Sequence, residues 1–217
     1  MTNPTDNWNN YQDALEQLTQ KKWTEQELRY LQGAYLTTEQ MWFEEVMKIS
    51  APRIVLLGEA PLFGKQKKYI YNSQIPPTAF LRPSDFASFP ADGARSNKCD
   101  LLRLMHESGI VVIDAFPFAL NTSDTLTLNF RVMKRSSKIY QKLLSHVFEA
   151  HVASKISMLN KDMRKLKILV RYRGMMKPII PLLEDMGFSE ANGSIKCAGS
   201  RNHGIDKAIF AEALMYK

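Results

Sequence analysis

Cysteine is nearly absent from this chain: Cys99 and Cys197 are the only two in 217 residues. They are too few for a disulfide framework and lack metal-type spacing, which fits a reducing compartment. Long apolar runs are absent as well; no segment approaches the roughly 18 uninterrupted apolar residues of a membrane-crossing helix. The opening MTNPTDNWNN is polar, not a basic stretch followed by an apolar one, so no secretory leader is predicted. A soluble cytoplasmic protein is the expectation. Internal repeats and low-complexity tracts are missing too, and so is a G-x-G-x-x-G dinucleotide fingerprint.

A hydrophobic share of 45% over this length is enough to bury one proper core. Acidic charge is in deficit: 29 Lys and Arg face 22 Asp and Glu, a net charge of +7, which favours polyanionic partners such as nucleic acid.

Along the chain, apolar residues recur at helical spacing from Asn7 to Ile49 (Trp8, Tyr11, Leu15, Leu18, then Leu28, Leu31, Tyr35, then Trp42, Val46), predicting two or three amphipathic helices. Ile54 to Leu57 is a continuous branched apolar run, as expected of a strand covered on both faces of a parallel sheet. Residues 59 to 97 hold five of the ten prolines (Pro61, Pro76, Pro77, Pro83, Pro90) and read as a working loop. A helix over Lys98 to Ser108 and a strand over Ile110 to Ile113 ending at Asp114 follow, then a loop over Phe116 to Asn129. A long helical region is predicted from about Val132 to Asn160, a third strand at Ile168 to Val170, a helix from Gly174 to about Met186, and a short strand around Ser194 to Cys197. The loop Ala198 to Gly204 then leads into a last helix, Ile205 to Met215. The alternation predicts an α/β fold: a three-layer α/β/α sandwich with a small, mainly parallel four-stranded sheet, plus N-terminal helices. One domain is expected over 1–217, with 1–50 as a helical extension and 51–217 as the α/β core.

Ligands of open parallel sheets bind at the carboxyl ends of strands, near a topological switch point. The strand ends here carry Gly58-Glu59-Ala60-Pro61, Asp114, Tyr172-Arg173-Gly174 and Gly199 to Gly204, so two carboxylates, a histidine and several glycines are expected to converge. Gly58 to Lys65 is superficially a phosphate loop, but five residues separate Gly58 from Gly64 and Gln66 follows Lys65, leaving no hydroxyl for Mg²⁺.

A strand ending in Gly-Glu-Ala-Pro before a loop of prolines and aromatics resembles the first motif of the uracil-DNA glycosylase superfamily. The resemblance extends by order and spacing over Arg53 to Lys217, through "VVID", "KILV" and "AGSRNHGIDKAIF". It implies hydrolysis of the N-glycosidic bond of a deaminated or damaged base, uracil or a related one, flipped out of DNA, with no cofactor and no metal. Carried over by position, Glu59 and His203 take the catalytic roles, of water handling and of stabilising the departing base. Gly58, Ala60, Tyr71, Phe80 and Asp114 are implied to bind the base, with Tyr71 or Phe80 as the stacking platform. Lys65, Lys67, Lys68 and Arg82, basic residues flanking the loop, are expected from their charge to hold backbone phosphates of single-stranded or duplex DNA, together with Ser200, Arg201 and Asn202 of the last loop. Leu62 stands where that motif has Gly, "SRNHG" replaces a His-Pro-Ser pattern, and Asp114 stands where Asn is expected. An ionised Asp114 accepts from a base N–H but cannot donate to a carbonyl.

Each residue also has a plainer reading. In that reading Glu59 accepts backbone N–H groups at a loop start, Asp114 caps a turn, His203 starts a helix, and Tyr71 and Phe80 anchor the loop on the core. His106, His146 and His151 are expected to be surface or packing residues, and Lys65 to Lys68 a solvated charge run. The alternative function is a non-catalytic nucleic-acid-binding protein on the same fold.

Overall fold

A computed structural model of the chain describes residues 4–64, 67–75, 98–120, 133–159, 165–199 and 205–215. Its elements run α1 (Pro4–Thr19), α2 (Glu25–Val46), β1 (Ile54–Gly58), α3 (Lys98–Ser108), β2 (Ile110–Asp114), α4 (Lys138–Phe148), a π-helical turn (Glu149–Ala153), α5 (Ser154–Leu159), β3 (Lys167–Val170), α6 (Arg173–Glu184), β4 (Ile195–Cys197) and α7 (Lys207–Met215).

The strands form one parallel sheet in the order β2-β1-β3-β4. Every residue of β1 and β2 is buried, because a parallel sheet carries helices on both faces and has no wet side. The step from β1 to β2 through α3 and the return to β3 through α4 and α5 cross the sheet in opposite directions. Right-handed crossovers therefore put those helices on opposite faces, and α6, which continues in the return direction, packs beside α4. The result is the three-layer sandwich that the alternation predicts.

The N-terminal helices are part of the core. Trp8, Tyr11 and Leu15 of α1 and Leu31, Tyr35 and Trp42 of α2 belong to the same buried cluster as the strands. Thr24 starts α2 with a reciprocal cap: its hydroxyl accepts from Glu27 N–H, and the Glu27 carboxylate accepts from Thr24 N–H.

One boundary differs from the sequence reading in a way that matters. The long helix predicted from Val132 begins at Lys138, because Ser137 caps it by accepting from Tyr140 N–H at 3.2 Å. Residues 133–137 are left as a short irregular segment carrying Arg135.

Two glycines fix how the strands meet their flanking segments. Gly109, just before β2, has φ +67°, and a Cβ there would lie 2.3 Å from the Ala51 carbonyl oxygen. Gly199, just after β4, passes so close to β3 that a Cβ would lie 2.4 Å from the Arg171 carbonyl oxygen. It pairs with Ile205 in an isolated antiparallel bridge, and Asp206 N–H bonds Ala198 O, so the neck of the last loop is held against the end of β3.

Candidate active site at the strand ends

The chain order reverses between β1 and β3, and the carboxyl ends of these two strands therefore flank the switch point. Gly58 ends β1 level with Asp114 of β2, its register partner. Beyond that pair Ala115 N–H bonds Gly58 O and Phe116 N–H bonds Glu59 O, which carries the pairing one step further and fixes the Glu59 backbone.

Glu59 is 9% exposed, and its carboxylate is held by side chains, not by the backbone N–H groups that a loop-start role would use. Arg135 donates to it through both prongs, Nε to Oε1 at 2.6 Å and Nη2 to Oε2 at 2.8 Å, and Tyr140 Oη donates to Oε1 at 3.1 Å. This bidentate geometry is the strong form of an Arg–carboxylate pair. It raises the Arg135 guanidinium above its ordinary range, the hydrogen bond to Glu59 being the main cause. Tyr140 is pushed up as well, first by burial and then by the neighbouring Glu59 charge. On its other side Arg135 lies over the Tyr172 ring, 5.0 Å from its centroid, and Arg171 approaches the same ring at 5.5 Å.

Asp114 is 5% exposed and, among the described residues, its Oδ1 has no hydrogen-bond partner. Burial pushes its carboxyl up to about 7; Lys155 pulls it down, Glu39 raises it, and Arg171 and Glu59 add smaller opposing effects. At neutral pH it is therefore close to half protonated, and the sequence-based expectation of an acceptor-only carboxylate gives way to a group that both donates and accepts. Behind it lies a buried polar cluster. Lys155 binds Glu39 at 2.5 Å and sits over the Trp42 ring, with His151 Nδ1 3.8 Å from Glu39. His151 is presented by the π-helical turn and is driven well below the usual imidazole range by burial and by Lys155.

Tyr71 is buried, with its ring 5.7 Å from Tyr69. Its hydroxyl accepts from Val112 N–H at 2.6 Å and donates to Val112 O at 3.2 Å, and Trp42 Nε1 donates to the same carbonyl at 3.0 Å. The anchoring role is thus visible, with Tyr71 fastening the loop after β1 to the outer edge of β2. Ala60 is buried beside Glu59, and Lys67 and Lys68 are exposed on the loop. Lys65, Phe80, Arg82, Ser200, Arg201, Asn202 and His203 lie outside the described residues.

The structure therefore brings Gly58, Glu59, Ala60 and Asp114 together. It adds Arg135, Tyr140, Arg171 and Tyr172, which sequence reasoning did not assign. Only Tyr172 and Arg171, at the end of β3, carried a positional signal. Lys98, at the start of α3, is also buried, and burial lowers its ammonium to about 8. Among the described residues no group of three or more His, Cys, Asp and Glu side chains is arranged to hold a metal. No helix among them is long and apolar enough to cross a membrane. Neither a protein-family model, nor a curated protein, nor a solved structure matches the chain.

Proposed function

We propose that the chain hydrolyses the N-glycosidic bond of a base carried on nucleic acid, at the carboxyl ends of β1 and β2. The observation that carries this reading is the pairing of two unlike carboxyls at level strand ends: Glu59 held by Arg135 and Tyr140, and Asp114 buried with a free oxygen and a proton available near neutral pH. Two carboxyls in unlike surroundings are a usual means of running acid and base roles in one site.

Glu59 is paired with Arg135, and its Oε2 accepts one hydrogen bond among the described residues, leaving room for a water. In the reaction that water adds to C1′ of the sugar while the C1′–N bond breaks and its electron pair goes to the base. The ionised Glu59 accepts a water proton and opposes the positive charge developing on the sugar. Protonated Asp114 donates its O–H to a base carbonyl as negative charge builds there, and accepts from the neighbouring N–H. The base departs as its anion and takes up a proton from solvent, while Glu59 returns the water proton to solvent. Flipping a base out of a stack costs a few kcal/mol, and the net charge of +7 favours holding the backbone that must bend for it.

Glu59→Gln keeps the shape but not the charge. It is expected to lower base release by about 10²-fold or more while nucleic-acid binding persists, measured as free base released from uracil- and hypoxanthine-containing oligonucleotides. A specific observation favours a second reading, a binding module without turnover: the Glu59 carboxylate already serves as a strut for Arg135 and Tyr140. That reading expects binding without release, in the parent and in Glu59→Gln alike.

A further inference from the structure

Arg135 is half-exposed, yet it is unusually well fixed for such a side chain. Its Nε and Nη2 are taken by Glu59, the Tyr172 ring lies beneath it, and Gly174 backs it so closely that a Cβ there would lie 3.1 Å from Cδ and 3.3 Å from Nη1. A guanidinium has two edges that present paired donors, and Glu59 uses one. Among the described residues Nη1 has no hydrogen-bond partner, so the Nη1–Nη2 edge is left open beside Gly174. The exposed side chains on either side, Lys134 and Arg173, are cationic.

We infer that the open edge of Arg135, beside Gly174, is the receptor for a backbone phosphodiester of the nucleic acid whose base is handled at Glu59 and Asp114. The inference rests on the proposed function for the identity of the ligand. Its physical grounds are local. Two phosphate oxygens match the paired N–H groups of a guanidinium edge, and the flanking cations favour an anion over a neutral acceptor. The ordering cost of a long flexible side chain is already met in the free protein, since Glu59, Tyr172 and Gly174 hold Arg135 in place. Glu59 thereby has a double use: it handles the water and it aims the phosphate receptor, which places the sugar between the two.

The test uses a fluorescent single-stranded oligonucleotide made wholly of abasic units, which offers phosphates without bases, and reads binding by anisotropy over a range of salt. Arg135→Gln is expected to weaken binding about tenfold at low salt and to lower the salt dependence by about one phosphate contact. Gly174→Val sits on an exposed helical turn and changes no charge; by filling the space beside Nη1 it is expected to cause a loss of the same size. It also guards against Arg135→Gln failing through an unpaired buried Glu59. Lys48→Gln, near the amino end of β1, serves as the charge-matched control and is expected to stay within about twofold of the parent. Gly174→Val and Arg135→Gln that bind like the parent, or a control that loses as much as they do, would overturn the phosphate assignment alone. A parent that binds neither this oligonucleotide nor one carrying bases would overturn the nucleic-acid reading with it.

Discussion

Asp114 shows how one residue's surroundings change its chemistry. Buried at the end of β2, it faces Lys155 from α5, Arg171 from the end of β3, Glu39 from α2 and Glu59 from the end of β1, with His151 held neutral by its own burial and Tyr69 far above its usual range. Burial dominates, and the carboxyl titrates near 7 in the fold against 3.8 ordinarily. Between those values folding takes up a proton. Its contribution to stability is therefore fully present below about pH 3.8 and is lost as pH rises to about 7. Urea denaturation at pH 5 and pH 8 is expected to show the parent losing about 2 to 3 kcal/mol more than Asp114→Asn over that interval. Equal losses in the two proteins would mean that the carboxyl titrates in its ordinary range.

At the scale of elements, β2 is an edge strand, and an edge with free N–H and C=O groups invites pairing with another chain. Here Tyr71 and Trp42, from segments before and after β1, satisfy both polar groups of Val112, so the edge is closed by side chains. Tyr71→Phe leaves the buried Val112 N–H without its partner and is expected to cost about 1 to 3 kcal/mol in chemical denaturation. A change below about 0.5 kcal/mol would mean that the bond is not formed in solution.

The same scale shows what could be read from the residues in advance. Branched apolar runs such as Ile54 to Leu57 and Ile110 to Ile113 announced the strands to within a residue, because a strand buried on both faces has little room for anything else. Glu59 and Asp114 are legible for a related reason, since a carboxylate that ends such a run stands at the open end of the sheet. Arg135 and Tyr140 were not legible. They lie 76 and 81 residues from Glu59, and no periodicity reports a pairing made across the fold. A local clue was present in Ser137, a good helix-starting residue, which would have moved the start of α4 and freed Arg135 from the helix. The aromatic stripes of α1 and α2 are core: Trp8, Tyr11, Tyr35 and Trp42 are buried in one cluster with the strands, which leaves those helices no free apolar face at these positions.

Over the whole molecule, the proposed function would join the excess of basic residues to the strand-end site: a polyanion drawn to the carboxyl ends of the strands, with a base handled between two unlike carboxyls. The most direct test is the pH profile of free-base release from single-stranded and duplex oligonucleotides carrying uracil or hypoxanthine, with Glu59→Gln and Asp114→Asn beside the parent. Release by the parent is expected to fall as pH rises through about 7, where Asp114 loses the proton it donates. Asp114→Asn, a donor at every pH, should lack that fall, and Glu59→Gln should be nearly inactive throughout. Absence of free base from every substrate, or release that ignores both substitutions, would contradict the assignment of this site as a base-excising hydrolase.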